Sequence, residues 1–318
     1  MTEKIKGRLT LLAVYTVAFG TGYWVSAYCH DGILLQSAVA AAVAVAIIFA
    51  GSVVFNNSSV FDPYWSVVPP LMVLFYLVCC RTQQSWDIRE AGHIHWLAGK
   101  RHLNGMDWFL YQSPRIMLLF LLTLIYSLRL TWNFLRGWPG LSHEDWRYAG
   151  FRANTGKAYW LVSFAGIHFF PAIMVFGGTL AVWVTVVQGF RPMNFMDIAA
   201  ILVTGNAIML ETVADRQLRK FNLQNKETGK TMKLGLWAVS RHPNYLGEIL
   251  FWWGLYLFAL AANPAFWWIF IGPAGITLMF IFASIPMIEK RMSNRRKDYE
   301  VYRKTVSMLV PWKSIGSR

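Results

Sequence analysis

The sequence predicts an all-α membrane protein, a polytopic transmembrane helix bundle of about eight spans, within a range of seven to ten, with interfacial helices. Three observations carry that prediction. Of the 318 residues 56% are hydrophobic and only 14% charged, whereas soluble domains run near a quarter charged. The apolar residues come in unbroken blocks of roughly 20, the length that crosses about 30 Å of hydrocarbon in an α-helix. Lys and Arg gather at the ends of alternate blocks, as they do beside membrane spans.

The blocks lie at 8–27, 32–55, 64–80, 114–135, 160–187, 197–214, 246–263 and 265–288. They are continuous rather than alternating, which excludes a β-barrel. The first follows Lys4, Lys6 and Arg8, is too long for a signal-peptide core and precedes no small-x-small cleavage site, so it is expected to stay as a signal anchor. Pro69, Pro70, Pro171 and Pro273 fall in or beside spans, where neighbouring helices can supply partners for the freed backbone groups. Residues 81–113 mix charge with Trp86, Trp96 and Trp108 and suggest helices lying on the membrane. Residues 136–158 open with a Gly/Pro turn and continue as a short amphipathic helix. Cys29, Cys79 and Cys80 show no disulfide or metal spacing and read as apolar packing. No repeat divides the chain, so spans within 1–60 and the remainder, 61–318, form effectively one domain.

The net charge of +14 invites a nucleic-acid partner, but its placement points to a bilayer instead. With the N-terminus inside, the inner segments hold Lys4, Lys6, Arg8, Arg136, Arg147, Arg152 and Lys157, then a run from Arg216 to Arg241, then a basic tail from Lys290. The outer loops at 28–31 and 264 hold no Lys or Arg, and 188–196 holds only Arg191. Residues 81–113 are the exception, with four cations partly offset by Asp87, Glu90 and Asp107.

Ionisable residues inside apolar helices mark candidate functional positions. The densest group is Arg241, His242, Asn244, Tyr245 and Glu248, at the mouth of a helix continuing ILFWWGLYLFAL, with Asn244 and Glu248 on one face. As packing alone, this is a helix start facing headgroups; a carboxyl at the second turn costs several kcal/mol unless a partner meets it. Glu211, Asp215 and Arg219 follow one another at helical spacing, either as ion pairs securing a helix end or as ligand contacts. Arg291 and Tyr302 belong to the tail, whose cations are ordinary inner flanks or a phosphate clamp. Asp62 opens a span as a helix cap with Pro63 behind it, or as a catalytic acid, and Tyr126 and Arg129 close another. Many cations with two or three carboxyls on one side suit a nucleotide, yet no G-x-G-x-x-G or P-loop occurs.

The motifs Asp-Pro-Tyr-Trp (62–65), Arg-Leu-Thr-Trp (129–132), Glu-Asp-x-Arg-Tyr (144–148), Glu-x-x-x-Asp-x-Gln (211–217) and Gly-Leu-Trp-x-x-Ser-Arg-His-Pro-Asn-Tyr-x-Gly-Glu (235–248), with a Tyr-x-x-Tyr tail, resemble the steroid 5α-reductase family, in its bacterial DUF1295 branch. The resemblance covers roughly 60–313 and rests mainly on the long Gly–Glu motif. It implies a membrane-embedded reductase of a steroid-like or other apolar enone, using NADPH at the cytoplasmic end of its C-terminal helices. Asn244 and Glu248 match positions holding the nicotinamide carboxamide, and Asp215 and Arg219 lie near the adenosine and phosphate contacts. Glu211, Arg241, His242 and Tyr245 are expected at the same cofactor site, with Arg291 and Tyr302 in the covering tail. Asp62 and Tyr126 match the catalytic Glu and Tyr, Tyr126 being hydrogen-bonded to Asp62 or supported by it, and Arg129 and Trp252 are expected to face substrate. Here the catalytic Glu is a shorter Asp, and an extra span precedes the shared core.

The Arg-His-Pro-x-Tyr-x-Gly core also occurs in isoprenylcysteine carboxyl methyltransferases, so a membrane methyltransferase using S-adenosylmethionine is the alternative. Asn244 after the Pro and Glu248 after the Gly favour the reductase. A transporter would call for symmetric halves with broken helices at midplane, and the polar residues here gather at one face.

Overall fold

A computed structural model describes residues 2–83, 105–225 and 229–311. Helix α1 (Glu3–Ser26) starts at Thr2, whose hydroxyl accepts from the Ile5 amide, and α2 (Ile33–Val54) returns beside it. A 3₁₀ turn (Ser58–Phe61) leads into α3 (Tyr64–Gln83), and α4 (Gly105–Gly137) follows. Next come α5 (Trp146–Thr155), α6 (159–188), α7 (Phe195–Gln224), α8 (Pro243–Ala262), α9 (Pro264–Arg295) and a tail helix α10 (Tyr299–Thr305). Among the described residues there is no β-strand, and eight helical segments are long and apolar enough to cross a membrane. Each coincides with one apolar block of the sequence. The short amphipathic helix expected within 136–158 is α5, capped by Asp145, whose carboxylate accepts from the Arg147 amide. The interfacial helices expected over 81–113 lie largely outside the described residues.

Among the described residues there are three π turns, and two of them have a visible cause. Proline lacks the amide that would close the preceding α-turn. The π turns at Ser163–Phe169 and Phe280–Ser284 end just before Pro171 and Pro286. Nothing comparable follows the third, at Val184–Gln188.

Alternation of eight spans puts both described ends of the chain at one end of the bundle, here called the terminal end. Side chains confirm the register. Lys4 Nζ donates to the Arg136 carbonyl (2.9 Å), Arg8 to that of Leu135 (2.7 Å), and Asn57 to that of Leu141 (2.7 Å). At the opposite end, Asn263 donates to the Gln188 carbonyl (2.9 Å). Helix α8 is the most enclosed span, and its pairing with α7 is the most extensive in the bundle. Gly247 makes that pairing possible: a Cβ there would sit 2.7 Å from Glu211 Cβ and 2.9 Å from the Ala207 carbonyl oxygen. Gly178 on α6 does the same on the other side, where a Cβ would meet the Trp252 ring at 2.4 Å. These two absences of a side chain set α8 deep in the bundle and bring Glu248 beside the polar residues of α4 and α7.

Candidate active site

The site begins with Tyr126 on α4, which is wholly buried. Its phenol donates to Glu248 Oε1 at 2.6 Å, and the Trp252 indole N–H donates to the same oxygen at 3.0 Å. Trp252 and Glu248 are one helical turn apart on α8, so a single helix face presents both. Phe251 stacks on the Tyr126 ring, with centroids 3.7 Å apart.

One turn toward the terminal end, Arg129 reaches α7. Its guanidinium lies 2.6 Å from Glu211 Oε2 and 3.1 Å from Asp215 Oδ2. Asn133 also donates to Asp215, at 3.2 Å, and Asn244 lies against the same carboxylate. Arg129 Nη2 and Glu211 Oε2 satisfy each other across that ion pair, while Arg129 Nε is buried without a hydrogen-bond partner. One guanidinium thus faces three carboxyl groups, those of Glu211, Asp215 and Glu248, in the depth of a bilayer-spanning bundle. The sequence-predicted residues Tyr126, Arg129, Glu211, Asp215, Asn244, Glu248 and Trp252 form one connected cluster.

Asp62 does not join it, which corrects the expected Asp62–Tyr126 pairing. Ser66 on α3 bonds Thr131 on antiparallel α4 (2.7 Å). Asp62 lies four residues nearer the terminal end than Ser66, and Tyr126 five residues deeper than Thr131. At about 1.5 Å per residue the two are separated in depth by roughly 13 Å. Nor does the Asp62 side chain cap α3. Its own backbone is helical (φ −53°, ψ −37°), whereas a capping residue sits in the extended region. Its carboxylate instead accepts from the Tyr148 hydroxyl, with Arg147 at 4.0 Å.

Arg241, His242 and Tyr302 form a different constellation. Arg241 Nε donates to Glu289 Oε1 (2.7 Å), and His242 Nε2 meets the same oxygen at 3.0 Å. The Arg241 amide donates to the Ser307 carbonyl (2.9 Å), and Tyr302 donates to the Trp237 carbonyl (2.6 Å). Here these residues hold the tail against the long motif. Burial pushes the His242 imidazole below its usual range, against the opposing pull of Glu289. Burial likewise raises the Tyr302 phenol. Arg291 lies 4.0 Å over the Trp146 ring. Arg219 is half-buried and forms no ion pair among the described residues. Tyr245 stacks on His242 (5.5 Å) and lies within electrostatic reach of Arg147, Asp145 and Asp215. It therefore lies between Arg147 and Asp145 on one side and the Asp215 cluster on the other.

Sequence reasoning did not single out Tyr148 or Asn133 as site residues, and it took Glu289 only as part of the tail. Tyr148 stood in a quoted motif, but nothing local tied it to Asp62. Two open depressions flank the bundle, of about 490 Å³ beside Arg241 and Glu289 and about 340 Å³ beside Arg191 and Asn194. Neither is lined by Tyr126, Asn244 or Glu248. Among the described residues no group of His, Cys, Asp and Glu could hold a metal ion.

The fold and the polar cluster within it define an integral, multi-pass, all-α membrane protein. The chain belongs to the DUF1295 family, a protein family of unknown function, whose match spans residues 106–306. It is also similar to an uncharacterized protein of Schizosaccharomyces pombe, C594.04c, with 27% identity over 223 residues, or 63% of this chain and 64% of that relative. The similarity thus spans a little under two thirds of the relative's length. No solved structure matches.

Proposed function

We propose that the chain is a membrane-embedded, NADPH-dependent reductase that saturates the conjugated C=C bond of a steroid-like or other apolar enone. The observation that carries this reading is the Tyr126–Glu248–Trp252 arrangement: an acidic hydroxyl held on a carboxyl group at membrane depth. Burying polar groups there costs several kcal/mol unless they are hydrogen-bonded, and ionisable residues kept at such depth mark functional positions. The resemblance to steroid 5α-reductases agrees with it. The basic terminal end is read as cytoplasmic, which puts the tail on that side of a bacterial inner membrane.

The residues fit a dinucleotide by their donor set. Arg129 keeps a buried Nε–H without a hydrogen-bond partner, and Asn244 adds an amide beside Asp215. Arg129, Glu211, Asp215 and Asn244 would hold the cofactor, whose chemistry is hydride transfer to the enone's β-carbon. Tyr126 is the group that polarises the substrate carbonyl. With Glu248 protonated, the carboxylic acid donates to the Tyr126 oxygen, and the phenolic O–H is released toward the carbonyl oxygen. Trp252 fixes the orientation of that carboxyl, and Phe251 shields the ring from water. Asp62, Tyr148 and Arg147 lie nearer the terminal end than Tyr126, on the side from which protons would reach the site.

The test uses purified protein, NADPH and a panel of enones, followed at the reduced-nicotinamide absorbance. NADPH at about 100 times its dissociation constant adds roughly 2.7 kcal/mol of stability, so thermal unfolding reports binding independently of turnover. Tyr126→Phe is expected to keep that stabilisation and lose turnover. Stabilisation by S-adenosylmethionine in place of NADPH would transfer the protein to the methyltransferase reading. No stabilisation by either, with no oxidation of NADPH by any enone, ends the proposal.

A further inference from the structure

The wider of the two depressions lies outside the Tyr126 site, between the end of α9 and the tail. Its floor is apolar, formed by Ile285 and Met308, and its rim carries Lys290, Asn294 and Arg303. The acids beside it are already engaged. Glu289 is met by Arg241 (2.7 Å), His242 (3.0 Å) and Arg303 (3.4 Å). Glu300 accepts from the Ser293 hydroxyl and lies 3.9 Å from Arg303. Lys290 is exposed and has no partner among the described residues.

We propose that this depression binds the headgroup of an anionic phospholipid, with Lys290 and Arg303 on the phosphate. The helix leading into it supplies the rest of the argument. Leu278, Phe282, Pro286 and Lys290 are spaced by four, so they follow one side of α9, and all are exposed, Leu278 to 54% and Phe282 to 74%. Side chains four apart on a helix lie one above the other. The lipid-facing apolar stripe therefore runs directly into the basic rim at the level where the span ends. An acyl chain laid along Leu278 and Phe282 delivers its phosphate to Lys290, with Ile285 and Met308 beneath the glycerol. A freely soluble phosphate would use the rim but gain nothing from the stripe. The volume of the depression, about 490 Å³, accommodates a headgroup and not an acyl chain, which stays in the bilayer.

The test is native mass spectrometry of the full chain released from phosphatidylcholine membranes doped with phosphatidylglycerol. The protein is expected to retain phosphatidylglycerol in preference to phosphatidylcholine. A cation at a membrane surface favours anionic lipid by about fivefold, so Lys290→Glu should lower retention by at least about fivefold. Lys220→Glu, an exposed cation of the same end outside the depression, should leave retention unchanged. If both variants lose lipid equally, the effect belongs to the general surface charge and the proposal fails. If millimolar inorganic phosphate displaces the lipid, the site is one for soluble phosphate and the proposal also fails. Should Lys290→Glu not fold, Lys290→Ala replaces it, with a smaller loss in the same direction. NADPH turnover is expected to be unchanged in Lys290→Glu, which keeps this outcome separate from that of the reductase assignment.

Discussion

The two ends of this bundle each bury an arginine among helices, and they treat it in opposite ways. At the end away from the termini, Arg115 and Asp197 are both fully buried and joined by two hydrogen bonds, of 2.6 and 2.7 Å. The same guanidinium donates to the carbonyls of Arg191 (2.7 Å) and Pro192 (3.0 Å). Among the described residues its ion-pair partner is Asp197, and other donors of the guanidinium find carbonyls. At the terminal end Arg129 faces three carboxyl groups and keeps a buried Nε–H without a hydrogen-bond partner. A closed pair costs little to leave alone and much to break; an unbalanced cluster is stable only if something else supplies protons or cations. The first arrangement is what a structural fastener requires. The second is what a site that exchanges protons or ligands requires.

The largest expected effect tests that contrast directly. Arg115→Ala leaves Asp197 buried without a counter-charge and should cost about 3–5 kcal/mol, measured by unfolding in mixed micelles. Glu211→Gln removes one negative charge from a cluster with a surplus and leaves Arg129 on Asp215, so it should cost less than Arg115→Ala. Equal losses in the two variants would erase the distinction between the two ends.

Next in size is the packing that assembles the cluster. Gly247→Ala forces a methyl against Glu211 Cβ and the Ala207 carbonyl, and overpacking of this kind costs about 1–3 kcal/mol. Gly20→Ala, where a Cβ meets nothing within 4 Å, is the matched control and should be silent in the same unfolding assay. A smaller change is Tyr126→Phe, which removes a single hydrogen bond worth about 1 kcal/mol and leaves Trp252 on Glu248. Its effect on enone reduction is expected to be a loss of about 10²–10⁴-fold. That disproportion between stability and turnover is the signature that separates a reacting group from a packing one.

The eight spans were legible because hydropathy over about 20 residues depends only on the local chain. The cluster was partly legible for a similar reason: Asn244 and Glu248, or Glu211 and Asp215, share a face by spacing alone. Pairings between helices were not. Tyr126 meets Glu248 across 122 residues, and that register is decided by how closely α8 approaches α7 and α6 at Gly247 and Gly178. A single sequence contains no measure of that approach. For the same reason Asp62 was paired with Tyr126 when its partner is Tyr148. The Arg-His pair of the long motif, expected at cofactor, turns to Glu289 because a buried carboxylate on α9 lies within reach.

The smallest expected effect concerns the tail, which is neither a closed buried pair nor an unbalanced cluster. Asp298 accepts from the Thr231 hydroxyl (2.6 Å) and pairs with Lys233 (2.9 Å), with 39% of its side chain exposed. Partial burial raises its carboxyl, but the bonds from Thr231 and Lys233 outweigh this and hold it below the usual carboxylate range. The sign follows from linkage. Because the folded value is depressed, the contribution is fully present above the unfolded value of about 3.9 and is lost as pH falls through the folded one. Exposed pairs contribute about 0–1 kcal/mol, so the effect is local loosening and not unfolding. Hydrogen exchange of the Arg241 amide, which donates to the Ser307 carbonyl, reports it. Protection should be constant from pH 7 to about 5 and fall below about 4. In Asp298→Asn, that acid-dependent fall should disappear, leaving the amide less protected throughout. Glu144 titrates in the same direction: burial raises it, yet bonds from Arg152, the Ser58 amide and Tyr159 hold it low. Its loosening would appear at residues 56–58, so the two carboxylates are told apart by place. If the Arg241 amide kept its acid sensitivity in Asp298→Asn, the tail would be held by the contacts of Arg241 and Tyr302, and the surface bond at Thr231 would contribute nothing to closing the terminal end.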